Sequence, residues 1–224
     1  MDKNLTNLLK WGIEHSAVSN PSADPSAPSP APSSAAPPRS DLNPEILSAL
    51  MGGPSDADLM KAAMEVLHDP DATLDNKLIA FDNFEQLIES LDNANNLENL
   101  SLWTPLLSLL SHEEAEIKKY AAWCVGTAVQ NNIKSQERLL AMGGLPKLVE
   151  LILREEEEEG VRRKAVYALS SAVRNYQPAL DVAHEELSKK GHGDGEKVDA
   201  TDMDGVDRVM EGLKERVKAT SKKA

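Results

Sequence analysis

The sequence predicts an all-α solenoid, in which similar helical repeats stack side by side, and two observations support this fold class. The segment Glu116–Asn132 aligns without a gap with Gly160–Tyr176, which lies 44 residues later. The preceding segments, Trp103–Leu110 and Leu145–Ile152, also align, and their prolines are 41 residues apart. Apolar residues recur with helical spacing, and no segment alternates with the period of two that a strand shows. A helical unit repeated about every 40 residues therefore predicts a solenoid.

The internal order of each repeat narrows this prediction to the armadillo arrangement. Each copy reads as a short helix, a second helix that begins near a proline, and a long third helix. A fainter copy, Lys77–Asn93, precedes the other two. No copy can bury its apolar faces alone, so neighbouring copies must stack, and the long helices then line a curved surface. Because such a surface binds partners, binding is the first function that we expect.

Two segments that precede the repeats are expected to be separate from them. Residues 1–16 form a short amphipathic segment, whose leucine and isoleucine side chains recur at helical spacing. Residues 17–42 form a linker, in which Pro21–Pro38 contains seven prolines and otherwise only Ser, Ala and one Asp. Proline lacks the amide donor of a helix, and too few apolar side chains remain to offset the entropy of ordering. We therefore expect a disordered linker.

The armadillo-like repeat domain is predicted to span residues 43–190. Pro44 stands at the first position of a predicted short helix, and Ser55 or Asp56 is expected to cap the next one. Further along, a stripe of apolar residues predicts one buried helix face. The stripe comprises Leu78, Phe81, Leu87, Ile88 and Leu91. Residues 191–224 are expected to form an acidic linker and a C-terminal helix that covers the last repeat.

Composition excludes several classes of function. The 224 residues carry a formal net charge of −13, whereas nucleic acids and anionic membrane surfaces attract clustered Lys and Arg. The single cysteine, Cys124, cannot form an internal disulfide and is expected to be buried, in a reducing compartment. The sequence shows neither a secretory signal nor an apolar stretch of the roughly 20 residues that span a bilayer. We therefore expect a cytoplasmic protein.

Neither catalysis nor a cofactor is predicted. No glycine-rich phosphate loop, nucleophile elbow or paired-histidine zinc motif occurs, and the five histidines are scattered. The segment Ala200–Glu211 has acidic residues at several positions of a calcium loop, but Ala200 occupies the position of the first aspartate ligand. We therefore predict that the chain is not an enzyme and that it holds no metal ion.

Several segments resemble a known family. Lys77–Trp103, Gly126–Asn132 and Val161–Asn175 are similar to the armadillo-type nucleotide exchange factors of heat-shock protein 70, and in particular to their fungal cytosolic branch. Gly52–Leu67 resembles the same branch, and so does the NLLKW motif at residues 7–11, which the low-complexity linker follows.

This resemblance implies a co-chaperone that grips the nucleotide-binding domain of heat-shock protein 70, so that ADP leaves, ATP rebinds and the client is released. It also implies that the flexible N-terminus mimics a client peptide at the substrate-binding domain, here through Leu8, Leu9, Trp11 and Ile13. A monomer suits such a clamp. The resemblance ends near Tyr176, where the family usually continues with a further repeat, so we expect a shorter gripping surface.

The resemblance further implies that a loop after the Lys77–Leu91 helix lies at the chaperone interface. Its residues here are Ala94, Asn95 and Asn96. The alternative is an ordinary turn rich in asparagine.

Polar residues at the ends of the long helices allow two interpretations. They are Asn131, Asn132, Arg174 and Asn175. These side chains either contact the partner on the concave side or satisfy the last carbonyl groups of their own helices.

Trp123 and Tyr167 occupy equivalent positions in the aligned repeats. Core packing is the expected role of both, and a place on the concave face is the alternative. Glu155–Glu159 is expected to be a solvated loop between helices.

A peptide-binding adaptor, such as a nuclear import carrier, is the alternative function. Such carriers place an asparagine four residues after a tryptophan in successive long helices. Here Thr127 follows Trp123 by four residues, and Ser171 follows Tyr167 by four. The expected pattern is absent, which favours the co-chaperone.

Overall fold

The computed structural model describes residues 53–192 and 197–221, which form ten α-helices and no strand. The all-α prediction is therefore confirmed. The amphipathic segment 1–16, the linker 17–42 and the helix predicted from Pro44 lie outside the described residues. The helices are α1 (Asp56–His68), α2 (Leu74–Ile88), α3 (Leu91–Asn99), α4 (Trp103–Ser108), α5 (Ala115–Val129), α6 (Ile133–Ala141), α7 (Gly144–Leu153), α8 (Glu159–Val173), α9 (Gln177–Lys189) and α10 (Met203–Ser221).

The first described helix begins where the sequence predicts. The Ser55 hydroxyl accepts a hydrogen bond from the Asp58 backbone N–H at 3.2 Å, and the Asp58 carboxylate accepts one from the Ser55 N–H at 3.3 Å. These reciprocal bonds satisfy two amides that a helix start leaves unpaired. The Ser55 hydroxyl also donates to the Asp58 carboxylate at 2.7 Å, and this bond, together with that from the Ser55 N–H, lowers the pKa of the Asp58 carboxyl. The helix ends at His68, and Asp69 and Pro70 follow it.

The repeats stack in register, which confirms the armadillo-like solenoid. Helices α5 and α8 are both 15 residues long, and the long helix α5 packs between α2 and α8. A hydrogen-bonded link joins neighbouring repeats, since the Gln136 side chain of α6 reaches the end of α8. Its Nε2 donates to the carbonyl oxygens of Ser171, Ala172 and Arg174 at 3.0–3.1 Å. These carbonyls belong to the last turn of α8, which has no partner for them within the helix.

The core is built from aliphatic side chains with a few aromatic ones. Phe81, Phe84 and Cys124 are fully buried, as expected for the cysteine. The predicted stripe along α2 is only partly correct, because Leu91 is 57% exposed. That residue begins the separate helix α3, so it no longer shares a face with the stripe.

The C-terminal helix α10 packs on α8, the last long helix. Apolar side chains of α10 such as Val206 and Val217 are buried there. Arg162 of α8 is also fully buried. Its Nε donates to the Ile152 carbonyl oxygen at 2.8 Å, and its Nη1 donates to Thr220 Oγ1 at 2.6 Å. A buried guanidinium requires such partners, and α10 supplies one of them.

The acidic segment Glu155–Glu159 is not simply a solvated loop, as the sequence indicated. The Glu157 side chain is only 8% exposed and pairs with Lys118 of α5, and Arg154 lies 3.5 Å from it. Glu159 already belongs to α8. The insertion therefore contributes an ion pair between neighbouring repeats, which charge patterning alone does not reveal.

Candidate functional site

The predicted contact loop at Ala94, Asn95 and Asn96 is a helix. All three residues lie in α3, and the Ala94 side chain is buried, with 2% of its surface exposed. The loop prediction was wrong because a second helix starts at Leu91, after a gap of only two residues from the end of α2. Asn95 and Asn96 are half-buried. The Ala94 methyl group is therefore part of the core. Of these three residues, only Asn95 and Asn96 are partly accessible to a partner.

The four polar residues at the helix ends divide into two groups. Asn131 and Asn175 are exposed and occupy matching positions with φ of 52° and 57°. Asparagine tolerates this left-handed backbone better than most residues. Asn132 is buried and caps α6, and its Nδ2 donates to the Ala128 carbonyl oxygen at 3.2 Å. For Asn132, the helix-capping alternative is the one that the structure shows.

The Arg174 side chain also binds other residues of the chain. Its guanidinium forms an ion pair with Asp207 of α10, and its Nε donates to Ser170 Oγ at 3.1 Å. The backbone N–H of Asn175 donates to the Ala200 carbonyl oxygen at 2.9 Å. The end of α8 is thus tied to the segment that leads into α10.

Trp123 and Tyr167 are half-buried, so the expectation of core packing was only partly correct for both. They lie on one half-buried stripe that α5 and α8 share. We call Tyr120, Trp123, Lys164 and Tyr167 the aromatic face. The Tyr120 and Trp123 ring centroids are 5.6 Å apart, and the Lys164 ammonium lies 4.2 Å from the Trp123 centroid. The same ammonium lies 5.5 Å from the Tyr167 centroid. Aromatic side chains and a cation thus alternate across two neighbouring long helices.

Several side-chain contacts hold the aromatic face in place. The Tyr167 hydroxyl donates to Oε1 of Gln130, the residue that follows α5, at 3.2 Å. The Tyr120 ring packs at 5.6 Å from the buried Phe81 ring of α2, and burial raises the pKa of its hydroxyl. Thr127 Oγ1 donates to Glu85 Oε1 of α2 at 2.8 Å. Three long helices therefore fix the position of this surface.

Sequence reasoning missed Tyr120 and Lys164 as members of this surface. The 44-residue alignment pairs these two residues, as it pairs Trp123 with Tyr167. All four positions fall on one helical stripe, spaced three residues apart in each helix. That spacing was the signal available in the sequence.

The described residues offer no centre for metal chemistry. Within 53–192 and 197–221, no group of three or more His, Cys, Asp or Glu side chains is placed to hold a metal ion. Burial raises the pKa of the Cys124 thiol well above its ordinary value, so this group is not a thiolate nucleophile. None of the helices in the described part combines the length and apolar character needed to cross a membrane. What the aromatic face offers is a contact surface.

The likeness to known proteins is consistent with such a surface. Residues 5–97 match the family model described as nucleotide exchange factor Fes1, and residues 93–191 match the SIL1/FES1/HPBP1 C-terminal domain. A relative from Gibberella zeae, named Hsp70 nucleotide exchange factor FES1, is 61% identical over 96% of this chain and 98% of its own length. The chain belongs to the Fes1 family. The resemblance inferred from its motifs is thereby confirmed.

Other Fes1 relatives show how the family varies in length. One from Neurospora crassa is 57% identical over 98% of this chain and 100% of its own length. One from Eremothecium gossypii is 48% identical over 80% of this chain but only 57% of its own length. The prediction that the resemblance ends near Tyr176 was wrong, because the C-terminal domain model matches as far as residue 191 and two relatives are covered over nearly their whole length.

One solved structure supports the fold alone. The crystal structure of an engineered protein superposes with a TM-score of 0.50 at 16% sequence identity, over 78% of this chain and 71% of the engineered one.

Proposed function

We propose that this chain is a co-chaperone, and not an enzyme, that accelerates the release of ADP from cytosolic heat-shock protein 70. The observation that carries the proposal is its near full-length similarity to relatives named Hsp70 nucleotide exchange factors. The proposed contact is with the chaperone's nucleotide-binding domain. The proposed location is the cytoplasm, and the proposed working form is a monomer.

Release of ADP follows from differential binding. A partner that grips the chaperone conformation with weak ADP affinity shifts the population towards that conformation, and ADP in turn weakens the grip. A hundredfold loss of ADP affinity corresponds to about 2.7 kcal/mol of differential binding. The chain needs no group that reacts with the nucleotide, because the chemistry remains with the chaperone.

The aromatic face supports this proposal as the gripping surface. Tryptophan and tyrosine dominate the energetics of many protein interfaces, because a large rigid ring loses little conformational entropy on binding. Trp123 and Tyr167 present such rings, and both are fixed by contacts within the array. We place the exposed Asn131 and Asn175 at the edge of the contact, together with Asn95 and Asn96. Ala94 is buried, so we expect it to position the two asparagines and not to touch the partner.

We further propose that the domains divide as the sequence predicts, with residues 43–190 as the gripping domain and 191–224 as its C-terminal extension. Residues 1–16 then act separately, through the tether of residues 17–42. Their apolar side chains, Leu8, Leu9, Trp11 and Ile13, would occupy the client site of the substrate-binding domain. Removal of residues 1–16 should leave ADP release unchanged and slow the release of a bound client peptide. Equal client release by both forms would refute this role.

The decisive experiment follows a fluorescent ADP analogue bound to a cytosolic fungal heat-shock protein 70. Addition of this protein together with excess unlabelled ATP should accelerate loss of the analogue, with a rate that saturates as concentration rises. No acceleration at concentrations that saturate binding would reject the proposal. A heat-denatured sample of the same protein provides the control.

The peptide-carrier alternative finds no support at Thr127. An import-type carrier uses an asparagine amide at this position, four residues after the tryptophan. Thr127 is occupied by its hydrogen bond to the Glu85 carboxylate of the neighbouring repeat. Glu85 itself is 6% exposed, so this position serves contact between repeats.

A further inference from the structure

A cleft beside the aromatic face collects four cationic side chains. It lies between α5, α8 and α10 and has a volume of about 520 Å³. The cations that line it are Lys119, Arg163, Lys164 and Lys214. Such a concentration is unexpected in a chain with a formal net charge of −13.

Three of the four cations are neutralised on their own helices. Each pairs with a glutamate three or four residues before it, which leaves little net charge to offer a partner. The three pairs are Lys119–Glu116 at 2.5 Å, Arg163–Glu159 at 3.6 Å and Lys214–Glu211 at 3.2 Å. Lys164 forms no ion pair with any carboxylate in the described part of the chain.

Lys164 is instead held by aromatic rings. Its ammonium lies 4.2 Å from the Trp123 centroid and 5.5 Å from the Tyr167 centroid, which stabilises the charge without consuming its N–H donors. Burial lowers the pKa of this ammonium, and Glu85 of α2 opposes that shift while Lys119 adds to it. The Glu85 carboxylate is engaged by Thr127. Lys164 thus places a partly desolvated ammonium group, whose N–H donors form no ion pair in the described part of the chain, against the cleft that it lines.

We propose that Lys164 is the docking point for an acidic side chain of the chaperone's nucleotide-binding domain, and that this contact selects the partner. The inference rests on the proposed function and adds the chemistry of its contact. An arriving carboxylate receives the unused N–H donors and compensates for the desolvation of the ammonium. The two rings fix the position of the ammonium, so little side-chain entropy is lost on binding. Charge complementarity at such a point contributes mainly to specificity and to the rate of association.

The test compares Lys164→Met with Lys214→Met in the fluorescent ADP release assay. Methionine keeps an unbranched apolar side chain against the rings and removes the charge, whereas Lys214 lines the same cleft but already has a glutamate partner. Lys164→Met should raise the concentration for half-maximal release at least tenfold and leave the maximal rate unchanged. Lys214→Met should change that concentration less than twofold. The concentration for half-maximal release should depend less on salt for Lys164→Met than for the unsubstituted protein. Lys214→Met should keep the salt dependence of the unsubstituted protein.

Two further variants separate charge from packing. Lys164→Arg retains the positive charge and should preserve most of the binding, whereas Lys164→Gln should behave like Lys164→Met. Equal activity of Lys164→Met and the unsubstituted protein would overturn the inference, and so would equal losses in Lys164→Arg and Lys164→Met. If the unsubstituted protein itself fails to accelerate release, the proposed function is rejected instead. Melting temperatures of all variants confirm that each is folded.

Discussion

The Tyr167 ring of α8 lies directly on the backbone of Gly126 in α5. A Cβ atom at position 126 would come within 2.4 Å of Tyr167 Cε1 and 3.1 Å of the Ala168 Cα. The glycine therefore permits the close approach of two neighbouring long helices. A glycine inside a helix is less stable than alanine by roughly 0.5–1 kcal/mol, so its presence here indicates that the contact outweighs that loss.

Substitution Gly126→Ala should destabilise the protein. The new methyl group must displace Tyr167 or separate α5 from α8, and overpacking of this kind typically costs about 1–3 kcal/mol. The measurement is urea unfolding followed by circular dichroism. Gly212→Ala, in helix α10, is the matched control, since a Cβ there meets no atom within 4 Å and should stabilise the helix slightly. Equal stability of the two variants would contradict this packing relationship.

Gln136→Leu should lower the free energy of unfolding. The substitution leaves the three carbonyl groups at the end of α8 without their side-chain donor, and unsatisfied buried polar groups cost about 1–3 kcal/mol. Lys134→Leu, at an exposed position in the same helix, controls for the change in helix propensity. Thermal unfolding of both variants provides the measurement. A Gln136→Leu protein as stable as its control would show that this link between repeats contributes nothing.

Removal of residues 203–224 should lower the melting temperature markedly. The truncation exposes the side of α8 that α10 covers and removes the Thr220 hydroxyl from the buried Arg162. Partner loss at a buried charge is among the more destabilising single changes. Calorimetry of the truncated and full chains provides the comparison. An unchanged melting temperature would show that the array is complete without its last helix.

Stability at alkaline pH should depend on Cys124. Burial raises the pKa of this thiol, so above the ordinary thiol pKa of about 8.5 the unfolded chain loses its proton before the folded chain does. This contribution to stability is fully present below the pKa of the unfolded thiol and is lost as pH rises towards the raised pKa of the folded thiol. Cys124→Ala should therefore lose less stability between pH 7.5 and 9.5 under reducing conditions. Identical pH slopes for the two proteins would contradict this account.

The sequence predicted the helical repeats better than it predicted which side chains of each helix are exposed. Repetition fixed the positions of α5 and α8, because each repeat must bury the same apolar stripe. Ser55 was recognisable as a cap, since its signal is local. Leu91 was misplaced because a helix that restarts after two residues changes direction, and apolar spacing does not record that change.

The candidate site was harder to predict because burial depends on neighbouring repeats. Trp123 reads as a core residue within its own helix, yet it is only half-buried, and Lys164 of the adjacent α8 lies over its ring. Ala94 reads as a loop residue, yet it is buried within α3. Glu157 reads as one of five solvated glutamates, yet it pairs with Lys118 of the previous repeat. The errors at Trp123 and Glu157 concern contacts between units that the sequence separates by about 40 residues, whereas the error at Ala94 comes from a helix that the sequence pattern did not reveal.

The most direct test of the central claim compares Trp123→Ala with Ile79→Ala for acceleration of ADP release. Both residues are partly exposed apolar side chains, but Ile79 lies outside the aromatic face, on the groove between α1 and α2. Loss of a tryptophan at the centre of an interface typically costs about 2 kcal/mol or more. Trp123→Ala should therefore raise the concentration for half-maximal release by more than tenfold, with helical circular dichroism unchanged, and Ile79→Ala should not. Full activity of Trp123→Ala would contradict the assignment of the gripping surface.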